Sequence, residues 1–304
     1  MTEATPHAPR PLDILLGVYT LFAGCALFFP HRTAAWPLLA AAHLLFAAAL
    51  FRVPPVRGAL RAFARRFPRT ADFIAEWYPL ILLVALYREL EPLNHAVFGG
   101  AYFDDLIRAW EGRIFGGQPS HAWGRSMPVL ALSEVLHTAY ISYYFAIYVP
   151  SIVVWVRRPR EDFRILVFTI MATFVAHYVF FIFFPVQGPR YLYPSPEGGI
   201  EAGLVYRLVH RVLETGSAQG AAFPSSHVGA TVAIAIAIGR IHRVAGWLLG
   251  LLAVGVAAGA VYGGFHYALD VAIGAALGIL VAIASPHLHA RLERAVRGRP
   301  AAVP

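Results

Sequence analysis

Three short polar stretches stand at the ends of apolar runs, and each holds side chains suited to work on an anion. In the last, Tyr262-Gly263-Gly264-Phe265-His266-Tyr267-Ala268-Leu269-Asp270, His266 and Asp270 are four apart, so on a helix beginning near His266 they share one face. A carboxylate on one imidazole nitrogen fixes the tautomer and leaves the other nitrogen as nucleophile or base. The plainer alternative is a capped helix start with His266 facing water. The middle stretch, Ala222-Phe223-Pro224-Ser225-Ser226-His227-Val228-Gly229, reads as a helix start with a serine at the N-cap. Its free N–H groups and the Ser225 and Ser226 hydroxyls would cradle an anion, and His227, one turn in at most, would protonate a leaving group; simple capping is the alternative. The first stretch, Phe184-Pro185-Val186-Gln187-Gly188-Pro189-Arg190-Tyr191, turns and presents the Arg190 guanidinium. That group suits bidentate binding of phosphate oxygens, or it snorkels to lipid headgroups. A cation, an anion cradle, an acid and a carboxylate-backed histidine are together the parts of phosphoryl transfer, where catalysis is mostly positioning and charge stabilisation.

The elements that must position these groups are membrane helices. Of 304 residues, 58% are hydrophobic and 14% charged, and the mean hydropathy is +0.60; a soluble chain carries about a quarter charged residues. Eight apolar segments are marked, at about 12–30, 35–51, 73–92, 128–156, 163–184, 225–241, 244–263 and 267–285. The fourth is too long for one perpendicular span, and its first part, Pro128 to His137, reads as a separate interfacial turn or a tilted start. All 25 basic residues behind the net charge of +8 are arginine, clustered in short gaps between apolar runs, a pattern of cytoplasmic loops and not of a nucleic-acid surface. With eight crossings and a cytoplasmic N-terminus, 17 of the 25 fall inside, so both termini are expected in the cytoplasm. The same count puts all three polar stretches on the extracytoplasmic face, although it made no use of the histidines. Met1 to Pro11 lack the features of a cleaved signal peptide, and the single Cys25 forms no intrachain disulfide. Two long outer segments contain amphipathic stretches, Tyr102 to Phe115 and Ala202 to Leu213, read as helices lying at the headgroup level or as a lid over the site.

The three stretches resemble the phosphate-site motifs of the type 2 phosphatidic acid phosphatase superfamily, the membrane relatives of vanadium haloperoxidases. Phe-Pro-Ser-Ser-His at 223–227 is similar to the second motif, His-Tyr-Ala-Leu-Asp at 266–270 to the third, and Gly-Pro-Arg at 188–190 to the arginine end of the first. The flavour is that of the branch containing inositol phosphorylceramide synthases. The resemblance covers roughly Leu80 to Ser285 and implies an all-α membrane protein with a six-helix core over 73–285. Residues 1–72 would add a tail, two helices and a basic loop, and 286–304 a basic tail. It further implies that His266 attacks phosphorus and becomes a phosphohistidine, oriented by Asp270, while His227 protonates the leaving alcohol and then serves as base. Arg190, Ser225 and the backbone near Ser226 would hold the phosphate oxygens, with no metal or cofactor. The substrate class implied is a lipid phosphate or phospholipid, with no nucleic-acid partner, and the expected location is a bacterial inner membrane.

Two departures concern charge. The phosphatase form of the first motif has a lysine where this chain has Phe183, and that of the third has an arginine where it has Ala260. Arg88, Arg125, Arg207 and Arg211 are candidate replacements. A phosphodiester carries one negative charge where a monoester carries nearly two, so the deficit favours transfer from diesters. Arg88, Glu89 and Glu91 are expected to pair with one another or line the site. Glu134 and His137 are left undecided, and His177 is read as a core residue. A transporter with an anion site and an inactive lipid-phosphate binder are the competing readings.

Overall fold

The computed structural model describes residues 9–195 and 199–297, and the regular secondary structure of the described residues is helical apart from one isolated β-bridge. In chain order the helices are α1 (Pro11–Gly24), α2 (Trp36–Leu50), α3 (Pro54–Arg66), α4 (Pro68–Arg88), α5 (Leu90–Phe98), α6 (Asp104–Phe115), α7 (Pro119–Ser126), α8 (Leu130–Ile141), α9 (Tyr143–Arg157), α10 (Arg160–Phe183), α11 (Pro189–Leu192), α12 (Leu204–Gly216), α13 (Ser226–Ile241), α14 (Arg243–Tyr262) and α15 (Ala268–Arg297). Five stretches are long and apolar enough to cross a bilayer, and the bent pair α8–α9 makes a sixth. Two of the eight expected spans are shorter: α2 has 15 residues and α13 has 16, against about 20 for a perpendicular crossing. The core helix α13 is enclosed by α9, α10, α14 and α15.

In the fourth apolar segment the break falls at Ser142, with a bend of 45°, later than the sequence suggested. There the Thr138 hydroxyl donates to the Glu134 carbonyl at 2.7 Å and the Ser142 hydroxyl to the Thr138 carbonyl at 2.6 Å. Such back-bonding competes with the helical ladder and bends it.

Close approach of α13 and α15 depends on small residues. A Cβ on Gly274 would collide with the Ser225 carbonyl, and one on Gly278 with that of Gly229. Lipid tails are as apolar as leucine, so in a bilayer it is this backbone-level fit that brings helices together. At the far end of the bundle the N-terminal helices are fastened by charge. Asp13 on α1 accepts from Tyr78 on α4 at 2.6 Å and pairs with Arg52 at 3.3 Å. Glu76 on α4 pairs with Arg10 at 3.1 Å and with Arg164 on α10 at 2.6 Å.

Candidate active site

The end of α10 and the starts of α13 and α15 meet at one end of the bundle, and there the three polar stretches come together. Val186 and Ala221 form the parallel bridge, with Val186 N–H donating to the Gly220 carbonyl at 3.2 Å and Ala222 N–H to the Val186 carbonyl at 2.9 Å. Gly188 follows at φ +95°, a region L side chains rarely adopt, and a Cβ on it would stand 3.1 Å from Ala222 Cβ and 3.2 Å from the Phe265 carbonyl. The first stretch is thus wedged between the other two at a residue that has to be glycine.

His266 and His227 face each other, Nε2 to Nδ1, at 3.2 Å. The direction of the hydrogen bonds follows from the carbonyl at the end of the chain. Nδ1 of His266 lies 3.0 Å from the Ala222 carbonyl oxygen, which can only accept, so Nδ1 carries the proton and Nε2 the lone pair. His227 then donates through Nδ1, and its Nε2 accepts from the Tyr140 hydroxyl at 3.4 Å. Tyr140 stacks on the His227 ring at 5.0 Å and Tyr143 meets it edge-on at 4.3 Å, which fixes the plane of the imidazole. Burial pushes the His266 imidazole down to about 4, with the nearby Arg190 charge acting in the same direction, so at neutral pH its Nε2 is an unprotonated nucleophile.

Asp270 does less for His266 than the four-residue spacing suggested. Its Oδ2 stands 3.5 Å from Nδ1, while the Tyr267 N–H donates to the same oxygen at 2.9 Å. Oδ2 of Asp270 serves its own helix start, its Oδ1 is buried without a partner, and the Ala222 carbonyl orients the ring. Ser225 occupies the N-cap of α13, but its side chain makes no capping bond. Its Oγ is buried without a partner, as is Nη1 of Arg190, while Nη2 donates to the Leu213 carbonyl at 3.3 Å. Ser226, also buried, opens the helix. A buried hydroxyl and a buried guanidinium N–H with nothing to bond are costly unless a ligand completes them.

The candidate cations divide. Arg125 is near Arg190 across a shared cavity, but it donates to the Pro194 carbonyl at 2.6 Å and to His121 Nδ1 at 2.9 Å. Arg207 and Arg211 are exposed on α12. Arg88, Glu89 and Glu91 go to separate partners, the Thr215 carbonyl, His43 and the Gln219 N–H, but Arg88 lines the same cleft as Ser226 and His227. Phe183 packs against the main core, and Ala260 is buried beside Tyr140 and Phe265. Glu134 accepts from the Val205 and Tyr206 N–H groups at 3.0 Å each, capping α12. His137 packs among Tyr206, His210 and Phe265. His177 is fully buried, with Nδ1 2.7 Å from the Thr173 carbonyl. Among the described residues, one group of three metal-capable side chains converges, Glu161, His289 and Glu293, and it lies at the other end of the bundle.

Several contributors escaped the sequence reading. On α6, Asp104 and Glu111 are buried on one face with Ile107. Asp104 accepts the N–H groups of Gln187 and Gly188, each at 2.9 Å, and the Tyr267 hydroxyl at 3.0 Å. Glu111 accepts the Leu269 N–H at 3.0 Å, in the first turn of α15. The first amphipathic stretch is therefore a brace that ties the first and third polar stretches together. Two acids on the buried face of a helix were the available signal. The second stretch, α12, roofs the site through Leu213. Nothing in the spacing singles out Tyr140, Tyr143 or the Ala222 carbonyl.

Two cavities flank the histidines. A cleft of about 360 Å³ is lined by His227 and Ser226 together with Tyr87, Tyr143, Tyr148 and Phe174. A polar cavity of about 180 Å³ is lined by Arg190, Arg125, Ser120, His210, Tyr193 and Glu214. In comparisons with known proteins, a family model described as the PAP2 superfamily matches residues 107–284, more than half of the chain, and takes in all three polar stretches. No curated protein and no solved structure matches.

Proposed function

This chain belongs to the PAP2 superfamily, whose members are phosphoesterases and phosphotransferases, and we propose that it is a membrane-embedded lipid phosphatase or phosphotransferase working through a phosphohistidine at the extracytoplasmic face. The observation that carries this reading is the pair of facing imidazoles, with the unprotonated Nε2 of His266 3.2 Å from Nδ1 of His227. In the first step His227, neutral in the resting site, takes a proton from solvent on Nε2; the His266 lone pair then forms a bond to phosphorus, the bond from phosphorus to the leaving oxygen breaks, and that oxygen takes a proton from the His227 imidazolium. Water or a second alcohol then gives its proton to His227, bonds to phosphorus and releases His266. Arg190, the Ser225 hydroxyl and the N–H groups at the start of α13 hold the phosphate oxygens through both steps, and no metal takes part.

Transfer to an alcohol acceptor, as in the inositol phosphorylceramide synthase-like branch, is supported by a specific observation. Phe183 and Ala260 leave the site short of two cations, so a singly charged diester is better matched than a monoester.

His266→Ala and His227→Ala should each abolish turnover of a panel of lipid phosphates while the protein still inserts. Wild-type-like activity in either variant would sink the mechanism. Vanadate should inhibit and EDTA should not; strong loss with EDTA would point to a metal. Labelled substrate should leave a covalent adduct that survives alkali and is lost in acid.

A further inference from the structure

Both nitrogens of His227 change their protons during the cycle, and the second of them meets one residue. In the resting site Nδ1–H donates to the His266 lone pair, and Nε2 accepts from the Tyr140 hydroxyl at 3.4 Å. As an imidazolium the ring carries protons on both nitrogens, and once Nδ1 has released its own to the leaving oxygen the remaining proton is on Nε2. That nitrogen is then a donor, facing an oxygen that had been donating to it. Among the described residues no second group hydrogen-bonds to Nε2; Tyr143 meets the ring edge-on at 4.3 Å. Tyr140 is 3% exposed and its ring is held from several sides. It stacks on His227 at 5.0 Å and lies 4.6 Å from Phe265, the residue before His266. On the α14 side a Cβ on Gly259 would collide with the Leu136 carbonyl and stand 3.1 Å from Tyr140 Cβ, so this glycine lets α8 approach closely enough to deliver the ring.

We infer that Tyr140 is a positioning residue whose hydroxyl donates to Nε2 of His227 in the resting site and accepts from it once that nitrogen is protonated, and that it thereby sets how basic a leaving oxygen the site can expel. This rests on the phosphohistidine reading above. A phenol oxygen can take either part; a phenylalanine would keep the stacked ring and remove the acceptor for Nε2–H. The protons balance: solvent supplies the one on Nε2, Nδ1 gives its own to the oxygen leaving phosphorus, and the tyrosine keeps its proton throughout, turning about its C–O bond. The group supported is the acid and not the nucleophile, because the His266 ring is oriented separately, by the Ala222 carbonyl at 3.0 Å. Help from a general acid matters most where the leaving oxygen is strongly basic. An alkoxide needs the proton as its bond to phosphorus breaks, whereas the anion of an acidic phenol departs with little assistance.

The test is Tyr140→Phe in the full-length protein, reconstituted in phosphatidylcholine vesicles and given two phosphate monoesters with the same chain. Hexadecyl phosphate releases an alkanol, and the phosphate ester of hexadecyl 4-hydroxybenzoate releases an acidic phenol. The quantity read is kcat/KM, which reports the step that breaks the ester bond. On the alkyl ester it should fall about ten- to a hundredfold, the scale of a lost hydrogen bond to a charged group, and on the aryl ester by less than about threefold. Both esters are read in one preparation, so inactive protein lowers both alike and leaves their ratio unchanged. A ratio equal to that of the wild type would overturn the role of Tyr140 and leave the phosphohistidine chemistry standing. Wild-type turnover of one ester alone would overturn it as well, since a site with a working acid handles good and poor leaving groups alike. Turnover of neither by the wild type would remove the inference and the lipid-phosphatase reading together.

Discussion

A buried neutral histidine has consequences for pH that an exposed one does not. The ordinary imidazole value is about 6.5 and burial brings His266 to about 4, so its nucleophilic nitrogen stays free of a proton well into acid. With a diester substrate, which does not titrate in this range, the acid limb of kcat/KM is expected to fall through about pH 4 and not through the ordinary value. A limb centred near 6.5 would mean that His266 is solvated in the working enzyme. The sign for stability is the same. Between about 4 and 6.5 the unfolded chain binds the proton first, so the folded state loses stability as pH falls through that window. Ser225 belongs at this scale as well: a hydroxyl that caps nothing and meets nothing is placed for a ligand, a distinction the Pro-Ser-Ser pattern could not make.

Helices and their termini set the distances between these groups. Asp104 is a positioning residue, since each of its hydrogen bonds ends on a loop that carries a site residue and none ends on the reacting atoms. Asp104→Asn would turn an amide donor toward backbone N–H groups that need an acceptor, at a cost of about 1–3 kcal/mol. It should lower kcat about a hundredfold, the scale of a misplacement near 1 Å, with a much smaller change in KM; an equal change in both would indicate general loss of fold. Gly274→Val tests the α13–α15 seam. Its side chain would force Ser225 away from α15, so turnover should vanish although the protein still inserts, and wild-type activity would show that the contact is dispensable. The brace on α6 was legible only as an amphipathic stretch, because amphipathicity reports that one face is buried and says nothing about what buries it.

For the whole molecule, the arginine-rich segments around Arg157 to Arg164 and at the end of α13 lie at the opposite end of the bundle from His227 and His266. Positive segments stay inside, which supports an extracytoplasmic site. A cysteine scan can read this directly, because Cys25 is the sole native thiol. In a Cys25→Ser background, Gly117→Cys at the site end has open space around it and should react with a membrane-impermeant thiol reagent on intact cells. Arg157→Cys, exposed at the other end, should react only after lysis. The reverse pattern would invert the topology and move the chemistry to the cytoplasm.

The amino-acid order alone determined the helical membrane class and the approximate limits of the apolar segments, and it marked His266, His227 and Arg190 as residues to be brought together, because hydropathy is local and the phosphate motifs are short and contiguous. Tertiary structure decided which atom orients each imidazole and which wall each cavity presents. The Ala222 carbonyl, the Tyr140 hydroxyl and the Asp104 carboxylate act across separations of 44, 87 and 84 residues. A carbonyl has no signature in the sequence, and a hydrogen bond across such a distance exists only once packing has brought its two ends together.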